Sequence, residues 1–113
     1  MRKELALMML IATGLFASNA NAAPLYIYVP DMSQLQYQMT ADGRVYFRNL
    51  NAYNNTVTGC CYAFYLDTTT PYGKSAWSLM MMKMATGAGL HLYVSNANPT
   101  DSNPATIDQV GNW

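Results

Sequence analysis

Charged residues are scarce in this 113-residue chain, where Asp, Glu, Lys and Arg together make up 11% of the sequence. Only four basic residues lie after position 22, against five acidic ones, which gives that part of the chain a formal charge of −1. A surface that neutralises nucleic-acid phosphates needs a cluster of Lys and Arg side chains. We therefore expect no nucleic-acid partner.

The residues that usually carry catalysis are equally few. His91 is the single histidine, and it lies in an alternating strand pattern without a carboxylate nearby in the sequence. No nucleophile elbow, paired carboxylates or Gly-rich phosphate loop is present. Two cysteines and one histidine supply too few ligands for a structural metal site. The sequence thus predicts a non-enzymatic protein with no catalytic residue, no cofactor and no metal.

One long apolar run is present, from Leu5 to Phe16, and Arg2 and Lys3 precede it. It is shorter than the roughly 20 residues that span a membrane, and small residues follow it up to Ala22. This layout is typical of a secretory signal peptide. We expect residues 1–22 to be cleaved, leaving residues 23–113 as a single periplasmic or secreted domain without a membrane span.

Several segments of that domain have the pattern of β-strands. Residues 25–29 form a β-branched and aromatic run, residues 35–39 alternate apolar and polar side chains, and residues 44–48 continue that alternation after Asp42-Gly43. An Asp-Gly pair between two such segments predicts a hairpin. Further strands are expected within residues 59–66 and 90–94, and one short edge strand within residues 107–110.

A single helix is expected between the later strands. Thr70 before Pro71 is typical of a helix start, and Gly87 is typical of a helix end. Apolar side chains recur at three- and four-residue spacing and predict one buried stripe, made of Trp77, Met80, Met81 and Met84. This order of elements favours an α+β domain in which one α-helix covers a mostly antiparallel sheet of five to six strands.

Cys60 and Cys61 are the most distinctive pair of residues, because an exported chain meets conditions in which disulfides are stable. Adjacent Cα atoms lie about 3.8 Å apart across a trans peptide, closer than in an ordinary disulfide. Three states stay open: two unbridged thiols, an interchain bridge, or a vicinal disulfide.

Tyrosine is unusually frequent, with nine in the chain. Tyr rings stack on sugars or fill protein interfaces while their hydroxyl groups find hydrogen-bond partners. The alternative is that these residues simply occupy strand positions in a protein with few charges.

The stretch from Cys60 to Ser95 resembles the C-terminal half of the B subunits of subtilase-type and pertussis-type bacterial toxins. A Cys-bearing strand is followed by Tyr72-Gly73-Lys74, a helix that carries Lys83, and the strand around His91. The resemblance implies an OB-like barrel with one helix, exported and assembled into a homo-oligomer that binds glycans. It assigns no site residue.

Two functions remain open at this point. The first is an exported binding module for an oligosaccharide. The second is an exported interaction or structural protein that pairs with another exported protein through its apolar strands or through Cys61.

Overall fold

The computed structural model describes residues 24–113, which form seven β-strands and one α-helix. In chain order they are β1 (Leu25–Val29), β2 (Tyr37–Met39), β3 (Arg44–Phe47), β4 (Phe64–Asp67), α1 (Pro71–Thr86), β5 (Leu90–Val94), β6 (Ala105–Thr106) and β7 (Gln109–Gly111). The predicted α+β class is confirmed. The predicted signal peptide lies outside the described residues.

The strands form two sheets. One has the order β1-β5-β7 and is antiparallel throughout, and the other has the order β2-β3-β4-β6, in which β6 is parallel to β4. Five to six strands were expected, whereas the chain's last part supplies two short strands instead of one. These two strands belong to different sheets, so the chain crosses from one sheet to the other at Ile107 and Asp108. In the described region, strand pairing does not close the sheets into one barrel.

The hairpin predicted at Asp42-Gly43 is confirmed between β2 and β3. Gly43 has a φ of 88°, which a residue without a side chain adopts freely. The Gly43 amide donates to the Thr40 carbonyl, and the Arg44 amide donates to the Asp42 carboxylate at 3.2 Å. The turn is therefore held by both backbone and side-chain hydrogen bonds.

The strand expected within residues 59–66 is wrong in its first part, because β4 begins only at Phe64. Tyr62 has a φ of 60°, in the left-handed region, which an extended strand does not contain. Cys60 and Cys61 are joined to each other, whereas a strand would direct adjacent side chains to opposite faces. The apolar composition of this segment therefore overstated the length of the strand.

Helix α1 has the predicted ends. The Thr70 hydroxyl accepts a hydrogen bond from the Gly73 amide at 3.0 Å, and Gly87 closes the helix with a φ of 64°. Trp77 and Met80 are buried as expected, but Met81 is 44% exposed, so its assignment to the stripe is wrong. The buried side begins at Gly73 instead, and this shifts the packed face away from Met81.

The core fills the space between the two sheets and the helix. Alternate residues of β1, β3, β4 and β5 point inward and are almost fully buried: Ile27, Val29, Val45, Phe47, Phe64, Leu66, Leu90, Leu92 and Val94. Within residues 24–113 no polar or charged residue is fully buried. The intervening residues of each strand therefore face outward, and many of them are aromatic.

Replacing Gly73 with alanine tests how closely α1 approaches the end of β4. A Cβ atom on Gly73 would lie 1.8 Å from the Asp67 carbonyl oxygen, so the helix must shift. We expect Gly73→Ala to lower the free energy of unfolding by about 2 kcal/mol or more, although alanine is the better helix former. The exposed Ser75→Ala is the matched control, with a change within about 0.5 kcal/mol. Urea denaturation measures both, and equal stability of the two variants would contradict this packing.

Acidification tests the β2–β3 turn. Hydrogen bonds from the Thr40 hydroxyl and the Arg44 amide lower the pKa of Asp42 below its ordinary value of 3.8. A lowered pKa gives stability that is present above 3.8 and is lost as the pH falls through the folded-state value. We expect the free energy of unfolding to decline below that pH, and to decline less in Asp42→Asn. Asp101→Asn, in an exposed loop, should keep the wild-type profile, and identical profiles for all three proteins would count against the turn's contribution.

Candidate functional site

Aromatic side chains cover the outer side of the three-stranded sheet. Because Ile27 and Val29 of β1 point into the core, Tyr26 and Tyr28 point outward. The same alternation in β5 turns His91 and Tyr93 outward. The antiparallel register places Tyr26 opposite Tyr93 and Tyr28 opposite His91. Cross-strand neighbours on one face lie close enough to pack against each other. Both pairs of rings are in contact.

The ring centroids of Tyr26 and Tyr93 are 5.0 Å apart, and those of Tyr28 and His91 are 4.5 Å apart. Trp113 joins the two pairs, since its ring stacks on His91 at 5.3 Å and meets Tyr26 edge-on at 5.6 Å. We call Tyr26, Tyr28, His91, Tyr93 and Trp113 the aromatic face. Its members are separated by up to 87 positions in the sequence yet form a continuous cluster.

About half of the surface of three of these rings is accessible: Tyr26 is 56% exposed, Tyr28 49% and Trp113 55%. Contacts within the cluster fix the rings in place while leaving their outer sides accessible to a ligand. Aromatic contacts of this kind are worth about 0.5–1.5 kcal/mol each beyond the buried area. The cluster therefore presents an ordered surface.

Two glycines make room for this arrangement. A Cβ atom on Gly111 would lie 2.8 Å from the Trp113 ring, and one on Gly89 would lie 2.6 Å from the Tyr28 hydroxyl oxygen. Any larger residue at either position would displace an aromatic side chain. The two glycines therefore contribute to the site by leaving space for the neighbouring rings.

No protein-family model, curated protein or solved structure matches this chain. The functional assignment therefore depends on the geometry of the aromatic face.

His91 contributes its ring to the stack and has no polar partner at Nδ1, which is buried. A catalytic histidine needs a second group that orients it or exchanges a proton with it. The neighbours of the His91 ring are instead two aromatic side chains, Tyr28 and Trp113. His91 thus enters the aromatic face as a stacked ring.

Charged side chains lie on other elements. Arg44 of β3 belongs to the second sheet, where its guanidinium stands 4.5 Å from the centroid of the Tyr65 ring and 4.0 Å from the Asp42 carboxylate. Lys74 and Lys83 belong to α1. The aromatic face itself is made only of Tyr, Trp and His rings.

Cys60 and Cys61 form a disulfide with each other, which is one of the three states that the sequence left open. They lie between a short 3₁₀ helix, Leu50–Ala52, and β4. Cys60 is exposed and Cys61 is half-buried.

Exposed apolar residues also occur on the edge strand of the second sheet and on α1. We call these residues the apolar edge: Tyr37 is 49% exposed, Met39 55%, Met81 44% and Met82 57%. Tyr37 and Met39 belong to β2, which is the edge strand of its sheet. Tyr37 also packs edge-on against Trp77 of α1 at 4.9 Å.

Two further findings concern metals and membranes. Among residues 24–113, no three His, Cys, Asp or Glu side chains are placed so that they could hold a metal ion together. In the same part of the chain, no helix has both the length and the apolar character that crossing a membrane requires.

Sequence reasoning noted the excess of tyrosine but did not identify which tyrosines come together. It also did not single out Trp113, Gly89 or Gly111. The alternation in residues 25–29 and 90–94 was a usable signal for the outward side chains of β1 and β5. The pairing of β1 with β5 was not visible, because no short turn joins them.

Proposed function

We propose that this protein is an exported, non-enzymatic binding module whose aromatic face binds an oligosaccharide. The observation that carries the proposal is the continuous cluster of five rings, three of them about half exposed, on the outer side of one sheet. The resemblance of residues 60–95 to toxin B subunits favours the same class of ligand, and His91 and Tyr93 lie in that stretch.

The chemistry of a pyranose ring matches such a surface. One side of the sugar ring is lined by C–H groups, which pack on the face of an aromatic ring, while its hydroxyl groups reach polar atoms at the ring edges. Tyr and Trp provide both features, an apolar body and a polar atom. Rings already held by their neighbours lose little freedom on binding, and this lowers the entropic cost of association.

The aromatic face contains no Lys, Arg, Asp or Glu, and this favours neutral sugars. Carboxylate, sulfate and phosphate groups are usually held by Arg or Lys. The four basic residues of the described chain are Arg44, Arg48, Lys74 and Lys83, and all of them lie outside β1, β5 and β7. Sialylated or phosphorylated glycans would therefore meet no cationic partner on this face.

Substitutions of exposed rings test the proposal. A glycan array with the purified protein should show binding of neutral oligosaccharides, and titration of the best ligand should then give its Kd. We expect Trp113→Ala and Tyr28→Ala each to weaken binding by roughly twofold to tenfold, because each removes stacking worth about 0.5–1.5 kcal/mol. Gly111→Ala should also weaken binding, since its Cβ atom displaces the Trp113 ring.

The matched control is Tyr46→Ala. Tyr46 is a half-buried strand residue that pairs with Tyr65 on the outer side of the second sheet. It should leave the Kd unchanged. Lack of binding to any glycan at micromolar protein, or equal losses in Tyr46→Ala and Trp113→Ala, would refute the assignment to the aromatic face.

The apolar edge favours a second candidate function, pairing with another exported protein or with a second copy of this chain. A strand with a free edge and exposed apolar side chains is a common site of protein association. If the edge serves this function, sedimentation should show a concentration-dependent complex, and Met39→Lys or Met82→Lys should abolish it. Ser102→Lys is the control, because Ser102 is exposed in the loop before β6, at the opposite edge of that sheet from β2. Strictly monomeric behaviour together with a pull-down that recovers no partner would argue against this function.

A further inference from the structure

A cavity of about 330 Å³ lies between the end of β4, the beginning of α1 and the segment around Ile107 and Asp108. We call this segment, in which the chain crosses from one sheet to the other, the crossing segment. Its wall contains two tyrosines, two threonines, two aspartates and two aliphatic residues: Tyr65, Tyr72, Thr70, Thr106, Asp67, Asp108, Leu66 and Ile107. None of these residues belongs to the aromatic face. The cavity is therefore a separate candidate site.

Hydrogen bonds of the crossing segment hold the cavity open. The Tyr72 hydroxyl donates to the Ile107 carbonyl at 2.8 Å, which ties α1 to the crossing. The Ile107 amide donates to the Tyr65 carbonyl at 3.1 Å, and the Asp108 amide donates to the Tyr93 carbonyl at 2.8 Å. The crossing segment is thereby bonded to both β4 and β5. These bonds fix the position of this part of the cavity wall.

The hydroxyl hydrogens in the wall are largely used within the chain. Thr70 donates to the Asp67 carbonyl at 2.9 Å, and Thr106 donates to the Asp108 carboxylate at 2.7 Å. The Tyr72 hydroxyl hydrogen is used at Ile107. A hydroxyl that has donated its hydrogen keeps only lone pairs to offer. Apart from the Tyr65 hydroxyl, the side chains of the wall thus offer a ligand acceptors and not donors.

The wall is also negatively charged. Hydrogen bonds from the Thr69 hydroxyl and amide lower the pKa of Asp67, so this carboxylate is ionised at neutral pH. Burial, followed by the charge of Asp108, raises the pKa of Tyr72 to about 12, so its hydroxyl stays neutral. Arg44 lies opposite Asp67 in the β3–β4 register, and its positive charge also lowers the pKa of Asp67. Its guanidinium lies over the Tyr65 ring and does not line the cavity.

We propose that this cavity binds the primary ammonium group of a small ligand. Three properties of the wall together favour this group over others: it offers acceptors, it carries two carboxylates, and it contains the ring of Tyr72, whereas the Tyr65 ring already carries the Arg44 guanidinium. An ammonium group brings three N–H donors and a positive charge, and aromatic faces attract cations. The carbon atoms of the ligand would pack on the ring of Tyr72, which is 44% exposed, since Leu66 and Ile107 are fully buried in the core.

Other ligand classes fit the wall less well. An anion would meet two carboxylates without a basic side chain in the wall. A metal ion needs more ligands than the two aspartates supply, and the described residues contain no cluster of three. A neutral polyol can donate hydrogen bonds to the acceptors of the wall but does not neutralise its negative charge. Of these ligand classes, only the ammonium group does both.

The proposal is tested by NMR titration of the ¹⁵N-labelled protein with butylammonium chloride, with n-butanol as the uncharged probe of similar shape. We expect saturable shifts at the amides of Thr106, Ile107 and Asp108 with butylammonium and none with n-butanol. Sodium chloride at matched ionic strength controls for general salt effects. Binding should weaken at high salt, since ions screen the attraction. Glucosamine is the second probe, and binding tighter than that of butylammonium would identify the source as an amino sugar.

Three variants assign the effect to the cavity. Asp67→Asn keeps an amide oxygen for both hydrogen bonds from Thr69, which end on one carboxylate oxygen. Asp108→Asn keeps an acceptor for only one of the bonds from Ser95 and Thr106, so its fold is checked by thermal denaturation. Each variant removes the charge and should raise the Kd by roughly twofold to fivefold. Asp101→Asn, an exposed loop residue outside the cavity, should leave the Kd unchanged. The proposal is overturned if butylammonium causes no saturable shift up to roughly 100 mM, which would saturate a millimolar site. Equal responses to butylammonium and n-butanol would also overturn it. Unchanged glycan binding by Asp108→Asn would show that the two sites are independent.

Discussion

The pairing of β1 with β5 is the constraint on which the rest of the structure depends. It joins residues 25–29 to residues 90–94 in an antiparallel register, and β1 has no other partner strand, so two segments far apart in the sequence must meet before β1 is paired. Because side chains alternate, a shift of one residue would turn Ile27 and Val29 outward and bring Tyr26 and Tyr28 into the core. Burial of the aliphatic set in the core thus fixes the aromatic set on the outside. The core and the aromatic face are two consequences of one register.

Local patterns in the sequence identified most elements but not their partners. The hairpin at Asp42-Gly43 and the ends of α1 follow from interactions within a few residues, such as the Thr70 cap and the left-handed Gly87. Such interactions are encoded locally and were predicted well. The pairing of β4 with β6 and of β5 with β7 depends on chain segments brought together by the core. No periodicity within a single segment specifies such a partner.

The errors in prediction have related causes. Apolar composition alone extended the strand before Phe64, whereas the positive φ of Tyr62 and the Cys60–Cys61 bridge set the backbone on a different course. Helical spacing alone assigned Met81 to the buried stripe, whereas the buried side of α1 consists of Gly73, Ala76, Trp77 and Met80, with Gly73 close to the Asp67 carbonyl. In both cases the pattern of apolar residues alone did not identify the conformation or the burial of each residue.

The crossing segment explains why two different surfaces occur in so small a domain. Residues 105–111 add one short strand to each sheet, and Ile107 and Asp108 between them bond to both β4 and β5. On the side of β7, Gly111 leaves space for Trp113 to complete the aromatic face. On the side of β6, Thr106 and Asp108 complete an acceptor-rich wall. Successive residues of this segment face different surroundings. Only a few positions therefore separate the aromatic face, which has no Lys, Arg, Asp or Glu, from a cavity lined by two aspartates. The short edge strands therefore do more than extend the sheets: they provide side chains that neither sheet alone would place together.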